Sequence, residues 1–148
     1  MDFVVASVHS RFSMPEAEIT ARIIKAMHKP YVTMIGHLTG RFLLAREGYA
    51  VDVEAIIGEA IRLGVIIEVN ANPHRLDLDW RHLRAAQAHG LLTSINPDAH
   101  SPNGLGDVTY GVGLARKGGV TAERVLNTRG LQDIHDWLTQ QRRMRLHA

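Results

Sequence analysis

Short apolar runs alternate with amphipathic stretches along most of the chain. Phe3-Val4-Val5-Ala6-Ser7-Val8 is a β-rich run with no polar lead-in, the pattern of a strand buried on both faces. Ser13, Pro15 and Glu16 then form a helix start, with Ser as cap, Pro in the first turn and an acid near the positive end. Ile19, Ile23, Ala26 and Met27 recur at helical spacing up to Pro30, which cannot continue a helix, and Tyr31 to Ile35 reads as a second strand. The polar connection from Leu38 to Ala50 is longer than a strand-to-helix link needs, which favours a functional loop. Asp52 can cap a helix with the stripe Val53, Ile56, Ile57, Ala60 and Ile61, and Gly64 can stop it. A third strand, Val65 to Val69, follows. Asp79 opens a helix through Leu83, Ala86 and Ala88, Gly90 closes it, and Leu91 to Ile95 is the fourth strand. Beyond it the pattern is helical, with a break near Gly118-Gly119, a restart at Thr121-Ala122-Glu123, and a terminal helix from Leu131 to Leu138.

A strand-helix unit repeated four times implies an α/β fold with a parallel sheet and right-handed crossovers. Four units are too few to close a barrel, since a complete (β/α)8 barrel takes roughly 250 residues; the pattern is that of part of one. The 148 residues are 45% hydrophobic, enough for the core of one domain without staples. With no cysteine, disulfides and thiolate metal sites are excluded, which fits a reducing cytoplasm. No apolar run approaches the ~20 residues that span a bilayer, so no membrane partner is expected. The formal charge is only +2, and part of the basic excess sits in Arg142-Arg143-Met144-Arg145, read with His147 as a solvated, frayed end.

In open parallel sheets chemistry sits at the carboxyl ends of the strands. His9, His37, Asn70, Asp98 and His100 all fall just past or at such ends. Asp98-Ala99-His100 alone is a weak motif, since an Asx turn beside an exposed His is commoner. Taken with His9 and His37 it forms a convergent His/Asp set without cysteine, suited to Mn²⁺, Zn²⁺ or Fe²⁺. His28, His82, His89 and His135 lie in or at the ends of helices and are read as surface residues; His74 shares the loop Asn70 to Arg75 and can face the site. Glu68, inside a buried strand, is a ligand, a support behind a ligand, or a carboxylate neutralised by arginine, and the residues do not separate these. Arg11, Arg41 and Arg75 each follow a strand end; singly each is an ordinary loop ion pair to Asp77, Asp79 or Glu47, but together they favour an anionic substrate such as a phosphate. Gly104, Gly106, Gly111 and Gly113 do not follow a strand as a phosphate loop requires.

Read together, Ala6-Ser7-Val8-His9-Ser10-Arg11-Phe12, Gly36-His37-Leu38-Thr39-Gly40-Arg41, Glu68-Val69-Asn70-Ala71-Asn72-Pro73 with Arg75-Leu76-Asp77-Leu78, Asn96-Pro97-Asp98-Ala99-His100-Ser101, and Tyr110-Gly111-Val112-Gly113 with Ala115-Arg116-Lys117 closely resemble the PHP (polymerase and histidinol phosphatase) domain of bacterial family X DNA polymerases. The resemblance runs from Met1 to about Trp137. It implies a partial, distorted (β/α)7 barrel with about four parallel units plus C-terminal helices, residues 1–148 being the C-terminal portion of one domain whose N-terminal part, like the polymerase domain, is absent. It implies up to three divalent transition-metal ions, with His9 and His37 on one, Asp98 on a second and His100 on a third, and Asp98 and His100 as catalytic. Arg11, Arg41, Asn70 and Arg75 would contact substrate. The implied activity is metal-dependent phosphoester hydrolysis, 3′-5′ exonuclease or related DNA-end processing, with DNA ends or another phosphate ester as partner and the rest of the domain as a second. Leu38 stands where the family usually has Pro, and the family's first His-x-His strand and a bridging glutamate precede the matching region. The chain by itself is therefore expected to be inactive. A histidinol-phosphatase-type phosphomonoesterase and a non-catalytic binding remnant are the competing readings.

Overall fold

The computed structural model describes residues 2–146, and His147 lies outside them. In chain order the elements are β1 (Val5–Ala6), α1 (Glu16–Met27), β2 (Met34–Ile35), α2 (Val53–Leu63), β3 (Ile66–Asn70), α3 (Trp80–Gln87), β4 (Thr93–Asn96), α4 (Val108–Lys117) and α5 (Leu131–Leu146), with short 3₁₀ turns at Pro102–Asp107, Ala122–Arg124 and Leu126–Thr128. The strands form one sheet in the order β1-β2-β3-β4, and each neighbouring pair is parallel. This is the α/β, partial-barrel architecture expected from the alternating pattern.

Local chemistry explains most boundaries. Asp52 caps α2 by accepting from Ala55 N at 2.9 Å, and Gly64 ends it at φ 66°, the left-handed conformation that glycine adopts without strain. Asp79 caps α3 through Arg81 N. The start of α1 differs from expectation. Pro15 occupies the cap position with no side-chain bond, so Ser13 is not the cap, and Pro15 O instead takes the Glu18 and Ile19 amides at 3.0 and 3.1 Å.

The side-chain alternation of the strands separates two cores. Ile67, Val69 and Ala71 face the larger one, with Ile19, Ile23, Ile56, Ala60 and Leu83 from the helices. On the opposite face Met34 and Ile66 pack with Leu126, flanked by Leu92, Ile134 and Trp137. β3 is buried throughout, whereas β1 is an edge: Val5 is 47% exposed, which corrects the reading of that run as buried on both faces. The outer edge of β4 is closed by a side chain imitating a strand. Asn127 Oδ1 accepts from Ile95 N at 3.1 Å, and its Nδ2 donates to Ile95 O at 2.7 Å.

The terminal helix runs eight residues beyond the expected Leu138, to Leu146. Arg145, read as part of a solvated tail, donates to Met27 O, Lys29 O and Val32 O, anchoring α5 on the α1–β2 connection. No helix among the described residues is long and apolar enough to cross a membrane.

Two glycines of α4 predict opposite outcomes. A Cβ on Gly111 would lie 2.5 Å from Ala71 Cβ and 2.6 Å from Ile95 Cγ2, so α4 rests directly on β3 and β4 there, while Gly113 is exposed with nothing within 4 Å. Urea denaturation should show Gly111→Leu destabilising by about 1–3 kcal/mol and Gly113→Ala stabilising by up to about 1 kcal/mol.

Candidate metal and phosphate site

Every expected site residue lies at the carboxyl edge of the parallel sheet, and the edge is organised by Glu68. This buried carboxylate on β3 accepts from His37 N at 2.7 Å and Asn70 Nδ2 at 3.1 Å through Oε2, and from Asn96 Nδ2 at 2.9 Å through Oε1. Three N–H donors from the ends of β2, β3 and β4 satisfy it, and no arginine among the described residues bonds to it. Of the readings open for Glu68, a support behind His37 is the one this geometry displays.

His37 is buried, stands at φ 31°, and its Nδ1 has no hydrogen-bond partner among the described residues. The ring of exposed His9 meets it edge-on, with centroids 5.0 Å apart. A buried imidazole nitrogen without a partner is costly unless something else occupies it. Asp98 follows β4 at φ 53° and pairs with Arg75 Nε at 3.3 Å. His100 is exposed, and its Nδ1 lies 2.8 Å from Asp98 O. Left-handed backbone at a residue other than glycine is uncommon, and it concentrates at functional edges. Here it occurs at Arg11, His37, Leu44, Leu76 and Asp98, of which Arg11, His37 and Asp98 are candidate residues. The structure thus brings His9 to His37, and His100 to Asp98, but no group of three or more His, Asp and Glu side chains among the described residues forms a complete metal cage.

The substrate candidates divide. Arg11 is exposed, with no ion-pair partner among the described residues. Arg75 is engaged by Asp98. Arg41 makes one of the loop ion pairs open to it in the sequence, bonded to Asp79 Oδ2 at 2.9 Å, and it also donates to Arg75 O at 2.8 Å and to Leu76 O, which makes it the fastener of the loop after β3. Asn70 is engaged too. It is fully buried, one amide atom serving Glu68 and the other accepting from Asn72 N at 3.1 Å, so it shapes the edge from inside. Arg81 first, then Arg41, holds the Asp79 carboxyl well below the usual carboxylate range.

Sequence reasoning gave Asp77 only as an ion-pair partner for loop arginines. It is fully buried, and its Oδ2 accepts from Thr39 N at 2.9 Å and Gly40 N at 3.0 Å, fixing the loop that carries His37. Burial pushes its pKa up, against the Thr39 and Gly40 donors and Arg41. Gly40 is at φ 63°, and a Cβ there would lie 2.4 Å from Tyr49 Cε1; Tyr49 in turn donates to Leu38 O at 2.5 Å. An acid between Leu76 and Leu78 was the available signal, since a charge set among apolar neighbours has to be paid for by buried donors.

The parallel β/α sheet carries paired His and Asp residues past its carboxyl ends, and the chain is similar to the C-terminal PHP portion of family X DNA polymerases. It is 42% identical over 138 residues to the DNA polymerase/3′-5′ exonuclease PolX of Bacillus subtilis, covering 93% of this chain and 24% of that protein. Probable phosphatases of Thermoanaerobacter pseudethanolicus and Caldanaerobacter subterraneus are each 26% identical over 97% of the chain, which spans 59% and 57% of their lengths. No protein-family model matches the chain.

Asp77 carries a prediction with a definite sign. Because its folded pKa is raised, the folded state holds the proton more tightly than the unfolded chain, and its contribution to stability falls as pH rises above the ordinary 3.8. Asp77→Asn should flatten that decline in denaturation measured across pH. Asp77→Ala, which strips two loop amides of their acceptor, should cost about 1–3 kcal/mol at low pH and less as pH rises.

Proposed function

We propose that residues 1–148 form the closing part of a PHP domain that hydrolyses phosphodiester bonds at DNA ends in a metal-dependent manner. The observation that carries the reading is the pairing of His9 with a buried His37 whose Nδ1 has no partner among the described residues, backed by Glu68 at the same strand edge as Asp98 and His100. The likeness to a protein named as a 3′-5′ exonuclease supports DNA as substrate. The absence of cysteine fits a cytoplasmic setting.

The donor set fits divalent transition metals in part. His9 and His37 would hold one ion, Asp98 a second and His100 a third, with the remaining donors coming from the preceding part of such a domain. Bound ions of this kind polarise the phosphoryl group and activate water. The chain's own residues then have separate roles. Glu68 fixes the His37 backbone, Asp77 fixes the loop behind it, and Arg11 and Arg75 bind and orient the phosphate. Asp98 and His100 are the catalytic pair. Arg41 acts through the Arg75 loop, so Arg41→Ala should raise KM for DNA ends more than it lowers kcat. Phosphomonoester hydrolysis is the second reading, favoured by the probable phosphatases that match 97% of the chain.

Calorimetric titration with Mn²⁺ or Zn²⁺ should show His37→Ala weakening binding by about tenfold or more, with His89→Ala unchanged; equal loss in both would remove the site. Hydrolysis of a labelled DNA strand should be negligible for the chain alone, because about three protein donors are typical for each catalytic zinc. It should appear when a separately made segment bearing the family's His-x-His strand is added, and vanish with Asp98→Ala. Strong turnover by the lone chain would refute the shared-cage account, and no turnover in the mixture would refute the phosphoesterase reading.

A further inference from the structure

Two loops next to the site build a surface that the hydrolytic reading does not use. The loop after β2 contributes Phe42, and the loop after β3 contributes His74, an exposed residue whose ring stacks on Phe42 at 5.5 Å between centroids with 12° between planes. The stack is held from below by the backbone, Leu43 N donating to His74 O at 2.6 Å. It is joined to the site by a single side chain: Arg75 lies over the Phe42 ring at 5.6 Å and reaches Asp98 at 3.3 Å. Beside it the turn Arg41 to Glu47 encloses an open hollow of about 380 Å³, and Leu44 at its tip is fully exposed.

A half-buried ring under an exposed ring is a poor way to make a core. The His74 ring lies nearly parallel to Phe42 and remains exposed. The cations nearby favour a polyanion. Arg46 sits over Phe12 at 4.7 Å and donates to Gly40 O, and neither Arg46 nor Arg11 has a carboxylate partner among the described residues. Flat aromatic faces combined with phosphate-binding cations are what single-stranded nucleic acids use for binding without sequence readout, through base stacking.

We infer that the outer face of His74, backed by Phe42, is a stacking platform for an unpaired nucleobase adjoining the phosphate bound by Arg75. The inference deepens the phosphoesterase reading and rests on it for the position of that phosphate. It makes the site selective for frayed or single-stranded ends over paired ones, because a base within a duplex has no free face to offer.

Metal-free fluorescence anisotropy with the 148-residue chain tests it, using two labelled oligomers of equal length and charge, one of thymidylates and one of abasic tetrahydrofuran units. The thymidylate oligomer should bind at least about fivefold more tightly. His74→Ala should bring it to the abasic level without changing abasic binding, and His74→Phe should restore the preference. Equal binding of the two oligomers by the unaltered protein overturns the platform and leaves the hydrolytic reading intact, since that is judged by turnover in the complemented mixture. A loss of both oligomers alike in His74→Ala also overturns it, because the residue would then be contacting phosphate. If neither oligomer binds, the platform falls whatever the turnover assay gives.

Discussion

A buried carboxylate has to be satisfied, and in this protein the way Glu68 is satisfied sets the shape of the functional edge. Its two oxygens collect donors from the ends of β2, β3 and β4. Removing one of the side-chain donors would leave part of a buried carboxylate unsatisfied, at a cost of about 1–3 kcal/mol. The three strand ends are therefore locked to one another, and His37 is placed by its own backbone amide. Its ring meets that of His9, and its Nδ1 has no hydrogen-bond partner among the described residues.

Around that lock lies a second one. Asp77 holds the amides of Thr39 and Gly40, while its carbonyl accepts from Asn70 N at 2.5 Å. Arg41 returns from the same loop to the backbone of Arg75 and Leu76. The loops after β2 and β3 thus behave as one body, which carries the buried imidazole on its inner side and the His74–Phe42 stack on its outer side. A rigid mount of this kind suits a site that positions a phosphate and excludes alternatives, because catalytic geometry tolerates little displacement.

Much of the architecture was legible in the chain because its signals were local. Asp52, Gly64 and Asp79 mark helix ends through their own side-chain or backbone chemistry, and they do so in the structure. The parallel order followed from alternation alone. What escaped depended on partners distant in sequence. The edge character of β1 depends on which strands are present to cover Val5, and the length of α5 depends on Arg145 finding carbonyls more than a hundred residues earlier. The candidate residues were found by their positions at strand ends, but their duties were not. Arg41 and Asn70 carry groups that can face a substrate, and only the fold shows those groups already committed to neighbours. The left-handed backbone at His37 and Asp98 falls on residue types that enter that region more often than most, whereas nothing in the residue type signals it at Arg11.

The central claim is that the strand-end histidines and Asp98, and no other histidines of this chain, take up a divalent metal. Paramagnetic broadening of backbone amide signals on addition of substoichiometric Mn²⁺ tests it most directly. The account predicts that His9, His37, Asp98 and His100 broaden first, while His28 beside Glu59 and the His82 and His89 surface of α3 stay sharp. Broadening centred on His82 and His89, or spread evenly over all the histidines, would contradict it.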